Sequence, residues 1–191
     1  MALLVKNGEI VTASERYMDD IFCADETITR IEPNIPPPPG AEVIDATGKY
    51  VFPGFIDPHV HIYLPCMGTF AKDTHETASQ AALVGGTTTL IEMLGPDRNQ
   101  EPMAGFELWL DKAQGHCACD FTFHMRDGVI STLASDHAPF DFATQKRMDE
   151  KDSTKIPNGI PALEDRVNAF YTYGVKRGRV DLHRFVDAAS T

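Results

Sequence analysis

A chain of 191 residues, 42% of them hydrophobic and 24% charged, has enough apolar content to bury a core in one domain, or in one domain plus a small extension. Its 17 basic and 28 acidic residues give a formal net charge of −11, which argues against nucleic acid or an anionic membrane surface as the main partner. No stretch approaches the roughly 20 apolar residues of a membrane span and the first residues show no secretory leader, so the cytoplasm is the expected compartment.

Residues 1–49 read as a small β module. Leu3-Leu4-Val5 runs into Asn7-Gly8, a pair that favours a two-residue hairpin, and Ile10-Val11 is expected to return beside it. Ile21 to Ala24 and Ile28 to Ile31 make a second pair across Asp25-Glu26. The run Pro36 to Pro39, followed by Gly40, lacks the N–H groups a sheet interior needs and reads as a surface connector. Val43-Ile44-Asp45 then resumes an extended segment.

From residue 50 the texture changes. Tyr50 to Asp57 is a short apolar strand ending in Pro58-His59-Val60-His61. Thr74 to Val84, closed by Gly85-Gly86, predicts a helix, and Thr87 to Met93 a β-branched strand. Phe106 to Gln114, stopped by Gly115, predicts a second helix. Cys117 to His124 alternates like a strand, with Cys117 and Cys119 as small side chains on one face. One more strand is expected at Val129 to Leu133, and helices at about 161–173 and 181–189. Strands and helices alternating in this way mean βα units and a parallel sheet, hence an α/β fold class. Residues 50–191 supply part of a (β/α) barrel, since a closed one takes about 250 residues. Four cysteines are too sparse for a disulfide scaffold, and Cys117-x-Cys119 lacks the C-x-x-C spacing of a structural zinc site.

Two motifs carry chemistry. Residues i and i+2 of a strand point to one side, so His59 and His61 project together from the strand's C-terminal end, the catalytic face of a β/α barrel. Neutral imidazoles are good ligands for zinc and similar ions, and the apolar strand followed by a loop makes this H-x-H more specific than a packed or surface pair. Ser135-Asp136-His137-Ala138-Pro139-Phe140 follows the expected strand at Val129 to Leu133. Asp136 there can ligate a metal or accept a proton from water; alone it would read as a turn cap before Pro139. Asn158-Gly159 reads equally as a plain turn or as part of a binding loop.

Gly54-Phe55-Ile56-Asp57-Pro58-His59-Val60-His61 resembles the first-strand metal motif of the cyclic amidohydrolases. Ala82 to Glu92 is similar to the helix–strand unit that follows it, and Ser135 to Phe140 to the late-strand motif with the catalytic aspartate. Pro157 to Arg166 resembles the corresponding loop of dihydropyrimidinases and hydantoinases more than that of allantoinases and dihydroorotases. The resemblance implies a metal-dependent hydrolase opening 5,6-dihydropyrimidine or hydantoin rings to N-carbamoyl amino acids. It implies two divalent ions, expected to be zinc, with His59, His61 and Asp136 as ligands. Asp136 is implied as the catalytic proton carrier and Asn158 as the substrate contact. It further implies a homo-oligomer, tetrameric in the family, whose partner is a small cyclic amide.

The resemblance covers two blocks, 1–125 and about 126–191, which do not adjoin in the family. Between them such enzymes carry several βα units with a carboxylated lysine, two further histidine ligands and a tyrosine. Here Phe123-His124-Met125 runs straight into Arg126-Asp127-Gly128. Neither Lys112 nor Lys146 ends a convincing strand. The segment that completes the N-terminal β module in the family is likewise expected to be missing. The chain therefore reads as an internally deleted form, weakly active or inactive. His137 is expected to support the loop, and His75, His116 and His183 to be helix or surface residues. The alternatives are a non-catalytic assembly protein like the dihydropyrimidinase-related phosphoproteins, which typically lack the H-x-H ligands, or another cyclic amidohydrolase such as an allantoinase.

Overall fold

The computed structural model describes residues 1–66, 68–94, 102–124, 134–149, 152 and 155–190. They form two compact units, Met1–Pro53 with Val180–Asp187, and Gly54–Arg179 with Ala188–Thr191. The sequence reading set its boundary between residues 49 and 50 and gave the C-terminal helix wholly to the barrel.

In the first unit the strands are β1 (Ala2–Lys6), β2 (Glu9–Val11), β3 (Arg16–Met18), β4 (Asp20–Ala24), β5 (Thr27–Glu32), β6 (Glu42–Asp45) and β7 (Tyr50–Val51). They make a four-stranded sheet, β5-β4-β1-β6, and a three-stranded one, β3-β2-β7. The expected hairpin across Asn7-Gly8 does not form, because β1 and β2 enter different sheets. Local bonding explains the corner. Asn7 has φ 60°; its N–H donates to Asp20 Oδ1 and its amide to Asp45 Oδ1, both at 3.0 Å. A Cβ on Gly8 would stand 2.5 Å from a Val51 methyl, so the close approach to Val51 leaves no room for a side chain there. The second expected pair does form: β4 and β5 are antiparallel across Asp25-Glu26, both with positive φ. Leu4, Ile10, Val11, Ile35 and Ala46 are buried, as are Phe185 and Val186 near the C-terminus.

In the second unit β8 (Phe55–Val60) leads through a small hairpin of β9 (Pro65–Cys66) and β10 (Thr69–Phe70) to α1 (His75–Val84). β11 (Thr87–Met93), α2 (Pro102–Ala113) and β12 (Asp120–His124) follow, then α3 (Asp165–Phe170) with a π-helical turn at Tyr171–Val175. The C-terminal helix α4 is Leu182–Ser190, of which the residues up to Asp187 belong to the first unit. β8, β11 and β12 pair in parallel in the order β12-β11-β8, the arrangement that βα crossovers produce. Parallel bridges Val60–His137 and His137–Ile160 extend this sheet beyond β8. Thr74 caps α1 in a reciprocal box with Thr77, and Gly85 ends it, close to the sequence expectation. Val60, Ile62, Ala78, Ala82, Leu90 and Leu163 form the core between helix and sheet.

Two expectations need correction. Cys117 and Cys119 precede β12 instead of lying in it, because the Ala118 N–H is taken by Ser79 Oγ of α1 at 2.8 Å and not by a neighbouring strand. The helix expected from about residue 161 starts only at Asp165; the N–H groups of Ala162 and Leu163 ahead of it donate to His137 Nδ1. The strand expected at Val129 to Leu133, and the junction near residues 125 and 126, lie outside the described residues. No helix among the described residues is long and apolar enough to cross a membrane.

Candidate metal centre

β8 carries His59 in its last residues and ends at Val60, with His61 just beyond it, and the neighbouring segment 135–138 runs alongside. The Asp136 N–H donates to the His59 carbonyl at 3.0 Å, and the His61 N–H to the His137 carbonyl at 2.9 Å. Residues 78 or so apart in the chain thus become next neighbours in the sheet: the carboxylate of Asp57 accepts from both the His59 N–H (3.2 Å) and the Ser135 N–H (3.1 Å). Asp57 is fully buried and lies 3.7 Å from Arg166 Nε, whose guanidinium also donates to Thr87 Oγ1.

This pairing brings three predicted side chains together. His59 Nε2 and His61 Nε2 are 3.2 Å apart, and Asp136 Oδ1 is 3.5 Å from the first and 3.4 Å from the second. A tetrahedral ion with donors at about 2.0–2.1 Å holds them roughly 3.3–3.4 Å apart, so the three atoms already stand at the edge length of one coordination sphere. Two imidazoles and a carboxylate are also a donor set suited to zinc and similar divalent ions. The residues fit a metal. Burial, then the neighbouring His59, push His61 below the ordinary histidine range against the pull of Asp136 and Glu92, which keeps its ring lone pair free for a cation. Asp136 adopts φ 50°, a left-handed conformation that aspartate tolerates better than most residues, and its side chain is 75% exposed.

Asn158 is not among the converging donors. It is exposed on the segment 157–160, whose Ile160 bridges His137. Lys146 grips that segment, donating to the carbonyls of Pro157 and Gly159 at 2.5 and 2.7 Å. Gly159 has φ +123°, and a Cβ there would meet the Ala138 carbonyl oxygen at 2.3 Å. Lys112 instead lies over the rings of Tyr63 and Trp109. Among the described residues, cavities of about 360 and 320 Å³ lie beside α1 and beside α3; neither is lined by His59, His61 or Asp136.

The supporting network went largely unread in the sequence. Glu92, 2% exposed, accepts from the Ile62 N–H and Trp109 Nε1 at 2.9 Å and pairs with His75 Nε2 at 2.8 Å. His75, expected on a helix or the surface, is the first residue of α1 and is buried. A lone acid inside the β-branched strand Thr87–Met93 was the available signal for Glu92. His116 is exposed, and His183 Nδ1 lies 2.9 Å from the Thr12 carbonyl in the first unit.

Residues 42–92 match a family model described as "Amidohydrolase family". The chain is 43% identical over 136 residues to a D-hydantoinase of Geobacillus stearothermophilus, covering 71% of this chain and 28% of that protein. It is 40% identical over 125 residues to dihydropyrimidinase 2 of Caenorhabditis briggsae, covering 65% and 24%. Among solved structures, a D-hydantoinase (dihydropyrimidinase) from Thermus sp. superposes with a TM-score of 0.92 at 34% identity, covering 99% of this chain and 80% of that one. The chain spans about a quarter of the length of the curated relatives it matches.

Proposed function

From its membership of the dihydropyrimidinase and D-hydantoinase family of amidohydrolases, we propose that this chain carries the metal-holding edge of a cyclic-amide hydrolase but little of its turnover. The observation that carries the reading is the triangle of His59 Nε2, His61 Nε2 and Asp136 Oδ1, with sides of 3.2 to 3.5 Å. Bound there, a divalent ion such as zinc supplies Lewis acidity and a more acidic water. His59 and His61 would hold it through Nε2. Asp136, at the rim, takes the proton of the attacking water and returns it to the leaving ring nitrogen. Asn158 orients the ring of a dihydropyrimidine or hydantoin, and the product is an N-carbamoyl amino acid.

Three converging donors suit one ion. A two-ion site, with cations about 3.5–4 Å apart, needs more anionic and imidazole groups than this cluster offers. The exposed Asp136 also works in water and not in a desolvated pocket, which weakens every electrostatic contribution it makes. The matched residues are read as two blocks flanking a family segment that this chain lacks. In support, the alignments with the curated relatives cover 24–28% of those proteins, whereas the structural alignment covers 80% of the Thermus chain.

Ring opening of dihydrouracil and hydantoin by zinc-loaded protein tests the proposal. Turnover is expected to fall at least about 100-fold below that of an intact relative, the scale of losing one electrostatic stabiliser. Whatever turnover remains should vanish in His61→Ala. Rates matching the intact relative would contradict the reading.

A second reading, assembly with longer copies of the same enzyme, is favoured by the outer face of the first sheet. Register places Leu3, Val5, Ile21, Cys23, Ile28, Ile31 and Ile44 on one side, and the last three are 44–57% exposed. Co-elution with an intact relative in size exclusion would support it; independent elution would count against it.

A further inference from the structure

We infer that His137 is a positioning residue that fixes Asp136 and the Asn158 segment relative to the two histidines, an inference that rests on the metal reading above. Its ring is 2% exposed and makes three directed bonds. Nδ1 accepts from the backbone N–H of Ala162 at 3.0 Å and of Leu163 at 3.3 Å. A ring nitrogen that accepts two N–H groups must present its lone pair, so the proton sits on Nε2, 2.7 Å from Asp73 Oδ2. The neighbours thus select the tautomer.

The two ring nitrogens reach different parts of the unit. Asp73 stands just before α1, and its other oxygen accepts from Thr77 Oγ1 in the first turn of that helix. Ala162 and Leu163 lie between Ile160 and α3. Through its backbone His137 also accepts from His61, while the residue before it donates to His59. One imidazole therefore ties the edge carrying Asp136 to the start of α1 and to the segment entering α3. Lys146 grips the same segment at Pro157 and Gly159. A side chain that merely filled space would need the volume but not the two nitrogens.

The test uses the full chain and cobalt(II), read by its ligand-field absorption and by competition with a chelator. His137→Asn keeps an acceptor near the Nδ1 position, and His137→Gln keeps only a donor near Nε2. Asp73→Ala, at a half-buried position, removes the outer anchor without opening the core. His137→Gln and Asp73→Ala are expected to bind cobalt about tenfold more weakly, with an altered spectrum. Amide exchange at Ala162 and Leu163 should quicken in His137→Gln and stay slow in His137→Asn. Unchanged cobalt affinity and spectrum in the folded variants would overturn the inference, even with a lowered Tm, since a purely structural role moves Tm alone. Should His137→Gln fail to fold, Asp73→Ala decides by itself. Absence of cobalt binding by the unaltered chain would overturn the metal reading and this inference with it, an outcome distinct from one confined to the variants.

Discussion

Asp20 gathers the first unit around one carboxylate: Lys6 Nζ at 2.6 Å, the Asn7 N–H at 3.0 Å and the Ile35 N–H at 2.9 Å. Burial pushes this carboxyl up, but the Lys6 ammonium and the two backbone donors outweigh it and hold it below the ordinary carboxylate range. A depressed folded-state value stabilises the fold above the unfolded value of about 3.9, and that contribution fades as pH falls through the folded-state value. Asp20→Asn is therefore expected to cost about 2–3 kcal/mol near pH 7, with the deficit shrinking in strong acid. Urea midpoints of the pair across pH 7 to 2 check this; a deficit that stayed constant would contradict the charged role. Asp20 was not legible as a hub, because its partners come from two distant stretches of chain, Lys6-Asn7 and Ile35. His59 and His61 were legible, because strand periodicity alone puts them on one side.

Elements were read well where they carry their own signals. The Thr74 cap and the Gly85-Gly86 stop delimit α1, and the β-branched run Thr87 to Met93 is a strand. Failures came where a tertiary bond overrode the local pattern. Asn7-Gly8 has hairpin chemistry, yet Asp20 and Asp45 take its polar groups and turn it into a corner between sheets. Cys117 and Cys119 continue an alternating pattern, yet Ser79 claims the amide between them. Glu92 shows what such a bond is worth between elements. Its carboxylate satisfies donors from the loop after β8, from α1 and from α2. Glu92→Ala leaves these buried groups without an acceptor and is expected to cost about 3–5 kcal/mol, several times a typical surface substitution. Thermal or chemical denaturation measures it; a loss below about 1 kcal/mol, the surface range, would mean water replaces the carboxylate.

At the scale of the molecule, the α/β class and the small β module follow from the change of texture at Tyr50. The unit boundary does not, since Val180–Asp187 packs with the first unit for reasons of tertiary packing that no local pattern states. The candidate metal centre depends on the same long-range order. His59 and Asp136 meet only because the segment 135–138 pairs beside β8, and no spacing in the sequence specifies that neighbour. The most direct measurement is the number of divalent ions per folded chain after zinc loading and removal of excess metal, read by elemental analysis for the unaltered protein and for His61→Ala. The account predicts one ion, lost in His61→Ala. Two ions, or one that His61→Ala still retains, would contradict it.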